Sequence, residues 1–425
     1  MRREKYVLTI WIAALTVWLA GCGSSSSSSS TQATTSGLKK RVLITNSQAG
    51  AIQLLDGQKD QFNRAITTTT PTRIVTSVTA GQTVVLNDGV ATIAMVDNTK
   101  EAAVASGTLL NPAFDVAITP DGKTAYASVR NSGVVEIFNT ADGTLVTTVN
   151  VPSATRLVMG PKGSKVLVFP DDPEHLGSNP NSFFVIDTAS KTVAPVLTLP
   201  VGAQPFSAVF DPSDTNDTTA FILNCGTECG GSAAPSVAKV NFATPATPTV
   251  NVVTGTITGA TVGLLNGSNL FVAGTPVAPL PQPAGCPFTA CGSLQLINTG
   301  TLTAGTAIPI TDGLHTQMAL TSNNHLYVGA SSCTPGVVVA NQVRGCLSIY
   351  NTGAPVVSGT NPFSPAESSF RSDLNVTGLQ TISGRNVIYV IQGGELDIFD
   401  FTTDSLTPNQ LDVVGHAVGV VQIDP

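Results

Sequence analysis

Six polar residues stand where apolar, alternating segments begin: Arg73, Asp115, Arg156, His315, Gln317 and His416. A set of this kind, brought to one place, is what a binding or catalytic site requires. A second group, Asp171, Asp172, Glu174 and His175 in "PDDPEH", has the side chains of a cation site, but the flanking prolines read better as a solvated loop. "DPSDTND" at 211–217 lacks the glycine and terminal glutamate of a calcium loop and reads as a turn insertion. No GxSxG, HExxH or P-loop occurs, and no metal or cofactor is expected. The six candidates matter only if the fold brings their strands to one point.

The chain opens with a basic tetrapeptide and an apolar run over 6–20, the order of a secretory signal and short for a membrane span. Leu19, Ala20, Gly21 and Cys22 resemble the lipobox of bacterial lipoproteins. The resemblance implies cleavage before Cys22 and acylation of that residue, with 1–21 as signal peptide and the Ser-rich stretch 22–37 as tether. An uncleaved signal anchor is the alternative. With no Asp beside Cys22, the resemblance further implies sorting to the outer membrane, on its periplasmic face or at the cell surface. The membrane is then a partner through the lipid. Removal of 1–21 takes the formal charge from −7 to −9, and no basic cluster remains, which excludes nucleic acid as a partner.

The remainder, 38–425, is rich in Val, Thr, Gly, Asn and Pro and lacks amphipathic helices, an all-β composition. One unit recurs eight times. Its second strand ends in Asp56, Asp97, Asn139, Asp187, Asn241, Asn298, Asn351 or Asp400, at spacings of 41 to 57 residues. Such a period suits the four-stranded blades of a β-propeller. The short Asp or Asn side chain can hold the turn that leaves the strand. Eight blades are expected; seven is the alternative, with 73–94 serving otherwise. The last segment, "GHAVGVVQIDP", has the character of an innermost strand, so pairing it into the first blade would close the ring.

The stretches 112–149 and 181–214, with "TPDGKTAYASV", "VVEIFNTADGTLVTTV" and "LPVGAQPFSAVFDPSD", resemble the YVTN repeat of bacterial surface and periplasmic β-propellers. The resemblance implies a propeller and does not by itself imply an activity. The repeated tryptophan motifs of quinone-cofactor propellers are absent, since both Trp residues lie in the signal.

Setting Cys22 aside leaves Cys225/Cys229, Cys286/Cys291 and Cys333/Cys346, each pair inside one loop. Local disulfides suit an exported chain; thiolate zinc ligation is the alternative. The loops carrying them, with 171–182, are the long ones (171–182, 225–235, 274–291 and 331–346), whereas the equivalent loops of units 1, 2, 3 and 8 are short. Half of one face therefore carries a crown of long loops, beside a channel mouth ringed by the six candidates. Two functions follow: a binding or scaffolding module whose protein or envelope partner docks on units 4–7, or a hydrolase of lactonase type at the channel mouth. A metal ion with Asp115 among its ligands would favour the second.

Overall fold

A computed structural model describes residues 35–425, except 78, 80, 171–180, 195–196, 199–202, 287–289, 335–345, 354–355, 360–374, 409–410 and 425. The signal, the anchor Cys22 and most of the tether lie outside the described residues, as do Asp171, Asp172, Glu174 and His175. The apolar alternation forms eight antiparallel sheets, each stepping outward from an inner strand. In blades 4 and 6 the outermost strand is divided in two. The region 73–94 belongs to a complete blade, Pro71–Thr76, Gln82–Asn87, Thr92–Asp97 and Ala102–Thr108, so the ring has eight blades.

Burial follows position in the blade. Counted outward from the inner strand of each blade, second strands such as Arg41–Asn46 and Thr124–Val129 are covered on both faces, while outer strands such as Gln61–Thr67 are mostly exposed. Strands buried on both faces need near-continuous apolar runs, and "RVLITN" and "TAYASV" supply them. The core is accordingly divided into eight hydrophobic clusters, one at each blade–blade interface. One joins Phe169 and Phe183 of blade 4 to Phe242 of blade 5, and another joins Leu43 and Leu54 of blade 1 to Val85 of blade 2.

The Asp and Asn residues at the strand ends do the same job in every blade. Oδ1 of Asp56, Asp97, Asn139, Asp187, Asn241, Asn298, Asn351 and Asp400 accepts from the backbone N–H two residues on, at 2.8–3.1 Å. These are Asx turns, which set the hairpin that follows. The ring closes as expected: Ala417–Gln422 is the inner strand of blade 1 and pairs antiparallel with Arg41–Asn46. Arg41 fastens the seam, with Nε and Nη2 donating to the Asp424 carboxylate at 2.9 and 2.7 Å and Nη1 donating to the Asn98 carbonyl.

One irregularity recurs at the inner strands. In blades 1, 2, 4, 5, 7 and 8 the second residue of the inner strand (Val418, Thr72, Thr155, Phe206, Thr316, Thr377) has no partner in the ladder. An extra residue of this kind is a β-bulge, and it re-aims the side chains beside it.

Candidate functional site

The residue opposite the penultimate position of the second strand is equivalent in all eight blades. In order these residues are Gly419, Arg73, Asp115, Arg156, Ser207, Val262, Gln317 and Gly378. All eight line one cavity of about 690 Å³ at the channel end where the inner strands begin. Its rim carries Asp88, Gly89 and Asn131 from the short loops of blades 2 and 3. The channel mouth therefore shares its face with the loops that join second and third strands, including the stapled ones.

Charge in the ring is confined to three neighbouring blades. Arg73 Nε lies 2.6 Å from Asp115 Oδ1, with the arginine side chain 52% exposed and the aspartate 3%. Asp115 Oδ1 also accepts from its neighbour Val116 N at 2.7 Å, and Oδ2 accepts from Leu157 N of blade 4 at 2.9 Å. Burial pushes the Asp115 carboxyl up, against the pull of Arg73 and of those two N–H groups. Arg156 lies over the Phe206 ring of blade 5, its guanidinium carbon 3.3 Å from the centroid. Each of these side chains leans onto the next blade, so the ring ties the inner strands together around the channel. Gly378 and Gly419 complete it with no side chain; a Cβ at Gly378 would lie 3.0 Å from Val420 Cγ1.

Of the six residues expected at the mouth, the fold brings together Arg73, Asp115, Arg156 and Gln317. The two histidines lie elsewhere, because ring membership belongs to the residue after the bulge. His315, two residues before Gln317, is fully buried beneath Gly292, with Nε2 2.9 Å from the Thr311 carbonyl oxygen. His416, three residues before Gly419, packs on Gly394, and its N–H donates to Asn46 Oδ1 at 3.1 Å. The ring also contains Ser207, Val262, Gly378 and Gly419, whose side chains give no chemical signal in the sequence. Both Asp115 oxygens are already engaged, and among the described residues no three His, Cys, Asp or Glu side chains gather as a metal ion needs.

The three cysteine pairs are disulfides, Cys225–Cys229, Cys286–Cys291 and Cys333–Cys346. They mark a chain that folds outside the reducing cytosol. Among the described residues, no helix is long and apolar enough to cross a membrane. The 171–182 loop and the middle of the 331–346 loop lie largely outside the described residues, so the crown is seen at blades 5 and 6. In blade 5 the staple closes a 3-10 turn, Gly226–Cys229, that presses Glu228 against blade 6. A Cβ added at Gly274 would come within 2.6 Å of Glu228 Oε2. Both carboxyl oxygens are sealed from solvent without a well-formed hydrogen bond, although the Ala260 and Thr275 N–H groups are near. Burial pushes this acid up to about 8. Sequence reasoning missed Glu228; its position inside a five-residue disulfide turn was the available signal.

No protein-family model and no curated protein sequence matches the chain. Solved structures do. The dihydro-heme d1 dehydrogenase NirN, in complex with DHE, is similar over 91% of this chain and 75% of its own, with TM-score 0.66 and 10% identity. Apo AztD from Citrobacter koseri is similar over 90% of this chain and 97% of its own, with TM-score 0.54 and 11% identity. Hydrazine synthase from Kuenenia stuttgartiensis is similar over 81% and 96%, with TM-score 0.51 and 16% identity. At such identities the likeness is one of fold. The chain is an eight-bladed β-propeller.

Proposed function

We propose that the protein is a cell-envelope lipoprotein of the YVTN-repeat kind, held on the outer membrane through acylated Cys22, whose propeller is a binding module. The observation that carries the binding reading is the coincidence, on one face, of an open polar channel mouth and loops fixed by disulfides. Loops that are already constrained lose little conformational freedom when a partner docks, which lowers the ordering cost of association. Propellers with cavities at the channel end of their inner strands are suited to present such a face. The anchor rests on the lipobox resemblance and on the Ser-rich tether, which has the composition to hold the propeller clear of the bilayer.

One experiment tests both halves: capture of a partner from solubilised envelope by the wild type and two variants. Cys22→Ala should remain unacylated, with its signal attached. The second variant replaces 277–290 by an Asn-Gly turn and carries Cys291→Ala. It spares Gly274 and Thr275, because Gly274 packs on blade 5 and Thr275 Oγ1 donates to the Gly313 carbonyl at 2.7 Å. It should keep the circular dichroism of the wild type and lose most of the capture. Processing of Cys22→Ala at residue 22 with retention on the membrane would overturn the anchor. Equal capture by the trimmed and intact propellers would overturn the docking face.

A further inference from the structure

The chain carries an excess of acids, with 27 Asp and Glu against 20 Lys and Arg, yet the eight-residue ring at the channel mouth holds two arginines and one aspartate. That aspartate is buried and committed to Val116 N, Leu157 N and Arg73 Nε. Half of the Arg73 side chain faces solvent, so the charge the ring presents to the cavity is positive. Arginine binds Asp115 through Nε, one edge of the guanidinium, and this leaves the two terminal amino groups as a pair. Paired N–H donors in a plane match the two oxygens of a carboxylate. Because the Asp115 bond already fixes the side chain, little of its freedom is left to lose on binding.

The surrounding wall narrows the choice of anion. Phe114, 44% exposed, lines the cavity with Pro112 and Ala113, offering an apolar surface in the same cavity as the guanidinium. Asp88 stands exposed on the rim and would repel a multiply charged ion more than a singly charged one. The cavity, at about 690 Å³, falls in the range of small-molecule sites, roughly 300–1,000 Å³. We propose that the channel mouth binds a small organic monocarboxylate, its carboxylate on the terminal amino groups of Arg73 and its apolar part against Phe114. The inference rests on reading the mouth as a binding face and names the chemistry that face selects.

The test is calorimetric titration of the mature protein at low salt with benzoate, inorganic phosphate and benzylamine as probes. Benzoate should bind saturably at one site, weaken at least tenfold in Arg73→Gln, and weaken less in Arg73→Lys, which keeps Asp115 paired. Benzylamine, of similar shape and opposite charge, should not bind. The proposal is overturned by absence of saturable benzoate binding, by equal affinity in wild type and both Arg73 variants, or by phosphate binding more tightly than benzoate. Should Arg73→Gln lose its fold, the Arg73→Lys comparison and the benzylamine control still decide. Failure here is separable from failure of the docking face. Partner capture that depends on the 277–290 loop, with no benzoate binding, rejects the carboxylate site alone.

Discussion

Glu228 shows how one residue can set a pH dependence for the whole chain. Its carboxyl is pushed to about 8 by burial in the blade 5–blade 6 contact, from an ordinary value of 4.5. Above pH 4.5 the unfolded chain releases this proton while the folded chain keeps it. The stability tied to the neutral acid is therefore complete below about pH 4.5 and is lost as pH rises toward 8, a few kcal/mol in all at about 1.4 kcal/mol per unit. Glu228→Gln should remove that slope, matching the wild type at pH 4.5 and exceeding it by about 2–4 kcal/mol at pH 8.5 in urea unfolding. An unchanged slope in the variant would show that the acid is not sealed. The residue scale is also where the sequence was hardest to read. Arg73, Asp115, Arg156 and Gln317 could be picked out by charge and place, but His315 and His416 had equal claims. A bulge of one residue turns the following side chain toward the channel, and nothing in "GLHTQ" or "VVGHAVG" encodes where that extra residue falls.

Elements were far more legible. The strand-end Asp and Asn residues repeat because each blade needs the same turn, and the structure uses all eight in the same bond. Cysteines four, five and thirteen residues apart could meet with no long reach, and they do. What the spacing did not reveal is that the first staple holds a buried acid. Loop-closure entropy assigns about 2 kcal/mol to each of the two short bridges and about 3 kcal/mol to Cys333–Cys346. Double alanine variants of the three pairs should lose stability in that order, read from urea midpoints at constant slope. Removal of Cys225–Cys229 should have an extra consequence: with the turn freed, Glu228 can reach water, and the loss of stability between pH 4.5 and 8 should shrink. A Cys225→Ala/Cys229→Ala protein that keeps the full pH slope would mean that packing against Gly274, not the staple, holds the acid in place.

At the scale of the whole molecule the eight interface clusters are alike, but one interface is made differently. Blade 1 draws its inner strand from the C-terminus, so the chain's two ends meet in one sheet. The seam is reinforced on both flanks. Arg41 joins the Asp424 carboxylate to blade 2, Arg385 and Tyr389 of blade 8 donate to the Asp60 carboxylate of blade 1, and Gln422 Nε2 donates to Ser383 Oγ at 2.6 Å. Without Ala417–Gln422, the apolar face of Arg41–Asn46 would be an open sheet edge, a template for pairing with other chains. It would also remove Gly419 from the channel ring and Val420 from the blade 1–blade 8 cluster. Truncation after Asp412 should therefore give a protein that self-associates and melts well below the intact chain, although it removes only Val413, Ala417, Val420 and Ile423 from the buried apolar core. A synthetic peptide spanning 413–424 should restore the monomer and its melting temperature by pairing with the vacant edge, and an Asp424→Asn peptide should do so less well because it loses its charged bond to Arg41. Size-exclusion chromatography and thermal melts read both effects. A truncated chain that stays monomeric with an unchanged melting temperature would mean that the seven other interfaces hold the ring closed by themselves.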